Sequence, residues 1–198
     1  MYIPTHYKNE NEAELIEFIG KNSFGLLVSK GAAFPSITHL PFTIEKDETI
    51  VLWSHFAAAN PHAKELKTGD KVTVVFNGPH GYISPSLYDE KVNVPTWNYI
   101  AVHAIGTYQL CTPEEKNAGL EKMIASFEPA YAKQYESLPH DYLEQMKKGI
   151  VAFTIRVEQL QGKYKLSQNK TEGEIDRITS HLASSPETKE LSDYMKRQ

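Results

Sequence analysis

Cysteine is almost absent from this 198-residue chain: Cys111 stands alone, which excludes an intramolecular disulfide and any cysteine-rich zinc site. Long apolar runs are missing too. No stretch of about 18 uncharged apolar residues occurs, and the opening MYIPTHYKNENEAEL has neither a basic n-region nor an apolar h-region. A cytoplasmic protein with no membrane partner is expected. Positive charge is in short supply, with 21 Lys and Arg against 25 Asp and Glu, so a net charge of -4 offers no global attraction to a phosphate backbone. DNA contact would rest on one local basic patch, residues 163–170. The eight histidines form no HExxH or other compact pattern, so no metal site is expected. A GxSxG elbow and a Walker loop are absent, and GPHG at 78–81 is not a dinucleotide fingerprint, which removes common hydrolase and kinase chemistry and leaves catalytic residues unassigned.

What the chain does have is concentrated at 76–103, FNGPHGYISPSLYDEKVNVPTWNYIAVH. Tyr82, Tyr88, Trp97 and Tyr99 lie there among prolines, glycines, amides and two imidazoles. Gly78, Pro79 and Gly81 are expected to break the strand ending at Phe76, giving a shaped wall in place of regular sheet. Aromatic rings with polar groups between them suit a flat ligand with polar edges.

Along the chain, Asn9 and Glu12 resemble a capping box ahead of an amphipathic helix that Gly20 ends. Strand-like runs follow at 24–29, 36–44 and 49–55, rich in β-branched and aromatic residues. Asn60 as N-cap and Pro61 at the first helical position predict a short helix, whose N-terminus offers backbone N–H groups to an anion. Further strands are expected at 71–76, 99–110 and 150–160. Between the last two, the pattern switches to helical spacing with Leu120, Met123, Ile124 and Phe127, then Tyr142 and Met146. Thr171 with Glu174 predicts another capping box, and Ser185 with Pro186 a last helix. The fold class is therefore mainly β with helices: one domain over 1–198, built on a six-stranded antiparallel β-barrel, closed or split, with a helical insertion at 112–148 and a C-terminal helical extension at 171–198.

Six ordered motifs, MYIPTHY at 1–7, THLPF at 38–42, SHFAAANPH at 54–62, FNGPHGYISPSLY at 76–88, VPTWNYIAVHAIG at 94–106 and GKYKLSQNK at 162–170, together resemble the PaiB family. The resemblance spans nearly the whole chain. It implies an FMN-binding split barrel, a homodimer with the flavin near the subunit interface, and negative regulation of protease production and sporulation. Two positions depart from the family pattern: Ala58 stands where members typically carry an arginine, and Leu87 where they carry a tryptophan.

A flavin needs an anion pocket, an apolar slot and amides facing its pyrimidine edge. Ser54, His55, Asn60 and Lys64 are the candidates for the phosphate, joined by Lys165 or Lys170. Trp53 and Trp97 are candidates for the ring, with Thr96, Asn98, Gln168 and Asn169 supplying hydrogen bonds; a buried aromatic core is the competing reading for either tryptophan. His39 and His103, inside strand-like runs, are read as structural. Two functions stay open: an FMN-binding regulatory protein, and an FMN-dependent oxidoreductase acting on a small molecule, for which Tyr82, Tyr99 and His103 would be the proton donors to test.

Overall fold

The computed structural model describes residues 1–197; the final residue of the expected C-terminal extension, Gln198, lies outside the described residues. Among the described residues, eight strands and seven α-helices follow in chain order: β1 (Lys8–Asn9), α1 (Glu12–Lys21), β2 (Phe24–Ser29), β3 (Ser36–Pro41), β4 (Thr43–Lys46), β5 (Ile50–Ala57), α2 (Pro61–Glu65), β6 (Lys71–Ile83), β7 (Thr96–Leu110), α3 (Pro113–Phe127), α4 (Ala132–Glu136), α5 (His140–Lys148), β8 (Ile150–Lys165), α6 (Glu172–Ala183) and α7 (Pro186–Met195). The strands make one sheet in the order β3-β2-β6-β7-β8-β5-β4, with β1 added on β8.

The class is mainly β with helices, as expected, but there are eight strands instead of six and the sheet is not closed. Two of the differences trace to particular residues and their partners. The run at 36–44 divides at Phe42: β3 pairs with β2, whereas β4 turns to pair with β5. β6 does not end at Phe76 but continues to Ile83 through Gly78, Pro79 and Gly81. β2 pairs only with residues 72–75 of β6, so Pro79 falls on a stretch that is an edge on that side, where a missing donor costs little. Gly78 serves packing instead of breakage, because a Cβ there would stand 2.6 Å from the Phe18 ring. The sheet's two ends are guarded: β4 carries Glu45 and Lys46, and β3 ends in Pro41.

Two compact units divide the chain: Met1–Phe18, Asn77–Val102 and Gln161–Gln198 form one, and Ile19–Phe76 with His103–Leu160 the other. The second has a strand-built aromatic core, in which Phe153 lies 4.8 Å from Phe56, 5.1 Å from Tyr108 and 6.3 Å from Phe42 between ring centres. In the first, Phe18 of α1 meets Tyr164 at 6.0 Å, and α6 and α7 bury Ile178, Leu182 and Leu191. The expected capping box forms, with Thr171 accepting from the Glu174 N–H while the Glu174 side chain accepts from the Thr171 N–H; α7 starts at Pro186 as expected, but the Ser185 side chain makes no capping bond, and the Ser192 hydroxyl ties α7 to the Thr179 carbonyl at 2.8 Å. Among the described residues, no helix is long and apolar enough to cross a membrane.

Within the second unit, α3 sits on β5 through one close contact. Gly119 of α3 faces the indole of Trp53, so closely that a Cβ would overlap the ring, and Met123, Ala152, Leu120 and Cys111 pack around it. Burial and the nearby Glu115 push the Cys111 thiol up to about 11, so it is a protonated packing group. Gly119→Ala is expected to lower the unfolding free energy in urea by about 1–3 kcal/mol through overpacking, against a helix-propensity gain of about 1 kcal/mol. An unchanged or raised stability would show that the indole gives way.

Candidate functional site

In the first unit the last part of β6 and the facing parts of β7 and β8 alternate with period 2. Gly81, Ile83, Asn98, Ile100 and Tyr164 point inward and are buried, while the opposite face carries His80, Tyr82, Trp97, Tyr99, Lys163 and Lys165. Trp97 lies 6.0 Å from the rings of both His80 and Tyr82, and it is 52% exposed. Lys165 donates to the Trp97 carbonyl at 2.7 Å and to the Thr96 hydroxyl, with its ammonium 6.0 Å from the Tyr7 ring centre. Lys163 donates to the Tyr2 carbonyl at 3.2 Å and lies 5.2 Å from the Tyr99 ring. These acceptors are neutral, so neither positive charge is cancelled by them. Burial, and then Lys163, holds the Lys165 ammonium below the usual lysine value. Flat rings beside two cations form a face that can stack a planar group and attract an anion.

The inward side explains three polar candidates differently. Asn98 is fully buried; its amide donates to Ser167 Oγ at 2.8 Å, and Ser167 Oγ donates back to Asn98 Oδ1 at 3.2 Å. Ser167 has φ of 64°, a left-handed conformation unfavourable for a residue with a Cβ, so this exchange holds the turn after β8. Gln168 spends both ends of its amide on the same turn, donating to the Tyr164 carbonyl at 2.5 Å and accepting from the Leu166 N–H at 2.9 Å. Asn169 is exposed beside it. Lys170 lies 3.6 Å from the Tyr88 ring centre and 3.9 Å from Glu174.

Trp53, Ser54, His55, Asn60 and Lys64 belong to the other unit. Ser54 is fully buried and donates to the Pro41 carbonyl at 2.7 Å; Asn60 caps α2 by accepting from the His62 N–H at 3.0 Å. Lys64 is exposed, and Trp53 packs under α3. The Ala58 N–H donates to the Gly149 carbonyl at 2.8 Å, while the Leu87 carbonyl accepts from Arg177 Nε at 2.9 Å. His39 stacks on Phe24 at the surface. His103 is half-buried in β7, and burial lowers its pKa.

His62, near in sequence to the anion site expected at the start of α2, takes a packed position instead. His62 of α2 is buried between two hydroxyls, Ser29 Oγ at 2.8 Å from Nε2 and Thr38 Oγ1 at 2.8 Å from Nδ1, with Phe56 against its ring. His80 and Tyr7, which residue type alone does not single out, stand beside Trp97 and Lys165, and alternation along β6 places His80 with Tyr82. Burial lowers the His62 pKa, opposed in part by Glu65, and burial lowers that of His55. The unfolded chain therefore takes up protons that the folded chain refuses. The resulting stability is whole above the ordinary value of 6.5 and is lost as the pH falls from there toward the folded value. Thermal melts are expected to show a decline below that pH which His62→Gln reduces; a decline identical in the variant would remove His62 as a cause.

Comparison with known proteins concerns the chain as a whole. A family model described as "Putative FMN-binding domain" matches residues 1–159. The "Protease synthase and sporulation protein PAI 2" of Bacillus subtilis (strain 168) is 37% identical over 200 residues, covering 98% of this chain and 96% of that protein. An uncharacterized protein of Emericella nidulans is 32% identical over 225 residues, covering 91% and 89%. Among solved structures, the FAD and heme binding protein from Mycobacterium smegmatis aligns with a TM-score of 0.65 at 12% identity, over 80% of this chain and 73% of that one, a likeness of fold.

Proposed function

Because the chain belongs to the FMN-binding domain family matched over residues 1–159, we propose that it is an FMN-binding regulatory protein acting on protease synthesis and sporulation. The observation that carries this reading is the 37% identity, over 98% of the chain, to the Bacillus subtilis protein named for those processes. The donor set supports the cofactor. Trp97, Tyr82 and His80 offer ring faces to the isoalloxazine, and Lys163 and Lys165 offer charge to an anionic group of the flavin. Gln168 contributes by holding the turn that ends the strand carrying both lysines. Bound flavin supplies a reversible redox centre; the protein supplies its binding, orientation and local charge.

A second copy of the chain is the natural cover for this face, in keeping with a homodimer that holds flavin near its interface. Val92 and Val94 are 96% and 74% exposed on the loop leading into β7, a few residues before the half-exposed Trp97. Exposed apolar side chains grouped this closely along the chain favour an association surface there. Sedimentation is expected to give a dimer that Val94→Lys shifts toward monomer; a wild-type monomer would remove the shared-site reading.

Titration with FMN is expected to quench flavin fluorescence saturably. Lys165→Ala should weaken binding about tenfold, or about 1.4 kcal/mol, without lowering the melting temperature. In a Bacillus subtilis strain lacking the relative, expression of this chain should restore control of secreted protease, and the Lys165→Ala chain should restore less. Absence of saturable binding would overturn the cofactor, and failure of the wild-type chain to restore control would overturn the regulatory role.

A further inference from the structure

The second unit holds a cavity that the flavin reading does not use. It measures about 260 Å³ and lies inside the helical insertion, walled by α3, α4, α5 and the turn before α4, with His55 of β5 and Ile150 of β8 beneath. We propose that this cavity is a binding site for a small, uncharged aromatic molecule with a single hydrogen-bonding group, the size of one or two fused rings.

Three observations lead there. The walls are apolar and aromatic: Leu120, Ile124, Leu143 and Met146 face the rings of Tyr131, Tyr135 and Tyr142 around the space. Such a lining gains free energy from each ring it removes from water. The charge around it is already compensated, because Lys147, on the rim, has Nζ 3.0 Å from Glu144. A carboxylate or phosphate entering the cavity would lose its water without finding a free cation. This separates the site from the flavin face, where Lys163 and Lys165 are matched only by neutral acceptors.

His55 supplies the polar element. Its Nδ1 is buried without a hydrogen-bond partner, and burial keeps the ring neutral by lowering its pKa. A buried imidazole nitrogen with nothing to bond is costly, and because the residue borders the cavity, a turn of the ring that brings Nδ1 to a guest's hydroxyl or amide relieves that cost without bringing a charge. The insertion itself has room for the occupant's contribution. Neither α4 nor α5 buries a single residue completely, and Tyr142 and Met146 on α5 remain half-exposed. An aromatic guest would give these helices the core that their own side chains leave incomplete.

The test uses the full chain with 2-naphthol as probe, followed by its own fluorescence and by the melting temperature. Saturable binding is expected, with 2-naphthoate at least tenfold weaker because its charge finds no partner. Naphthalene should also bind more weakly than 2-naphthol to the wild type, and His55→Phe should erase that preference while leaving naphthalene bound. Leu143→Phe, which fills the cavity, should weaken 2-naphthol at least tenfold and leave FMN quenching unchanged; Ile124→Phe serves the same purpose if the first variant does not fold. No saturable binding, equal binding of naphthol and naphthoate, or binding unaffected by either filling variant would overturn the proposal. So would displacement of 2-naphthol by FMN in simple competition, since the cavity would then belong to the flavin.

Discussion

β5 is covered on both of its faces, and much of the larger unit follows from that. A strand with one wet face alternates buried and exposed residues, yet here Leu52, Trp53 and Ser54 are buried in succession. Leu52 and Phe56 point into the aromatic core around Phe153, while Trp53 and His55 point the other way, beneath the insertion. The indole of Trp53 can be hidden only because α3 presents Gly119 to it. A large flat side chain on the strand and a missing side chain on the helix set the distance between helix and sheet. Once α3 is seated there, Leu120 and Ile124, on adjacent turns, are carried over His55, so the position of the cavity descends from the same contact.

Much of this architecture was legible in the residues, because it depends on local chemistry. Asn60 ahead of Pro61 and Thr171 ahead of Glu174 act through hydrogen bonds to a backbone two or three residues away, so neighbours in sequence suffice to read them. The first helix shows the limit of that reading. Asn11, not Asn9, accepts from the first-turn N–H of Glu14, while Asn9 accepts from the Asn11 N–H one step earlier. The split at Phe42 and the continuation of β6 depend on distant partners. Gly78 and Gly81 have the same composition whether they break a strand or admit a neighbouring side chain, and here Phe18 and Leu191 claim the space. No local pattern distinguishes the two uses.

The candidate site divides along a similar line. Aromatic residues beside lysines can be read from alternation once the strands are known: Trp97 and Lys165, expected from residue type alone, lie on one face of neighbouring strands. Amides and hydroxyls are ambiguous, since each can face a ligand or mend the backbone of its own turn. Gln168 does the second: its two ends close on Tyr164 and Leu166, and Asn98 closes on Ser167, whose left-handed backbone is the conformation most in need of support. Which of the two a group does depends on partners distant in sequence or across a turn, which residue type does not reveal. The contribution of these amides to a site on the outer face is indirect but physical, because the turn they stabilise ends the strand that carries Lys163 and Lys165.

The insertion raises a question of energetics that residue type alone does not answer. Thr112 and Glu115 form a capping box at the start of α3, and Lys147 and Lys148 sit in the last turn of α5, but neither α4 nor α5 has a side-chain cap at its N-terminus. Helices of five and nine residues are also too short to be stable alone, where about 12–15 residues are marginal in water. Their order has to come from tertiary contact, which arises at two places: the Trp53 seat under α3, and the hydrogen bonds from Lys116 Nζ to the carbonyls of Lys147 and Ile150, which pin the end of α5 to α3. Between these anchors the apolar side chains meet around a space instead of closing it. Close packing normally eliminates such a gap, because each missing contact forfeits dispersion energy. Fixed at both ends, the helices cannot collapse inward without breaking a bond to Lys116 or lifting Gly119 from the indole. The void is therefore a consequence of how the insertion is anchored, and whatever fills it stabilises the anchors as well.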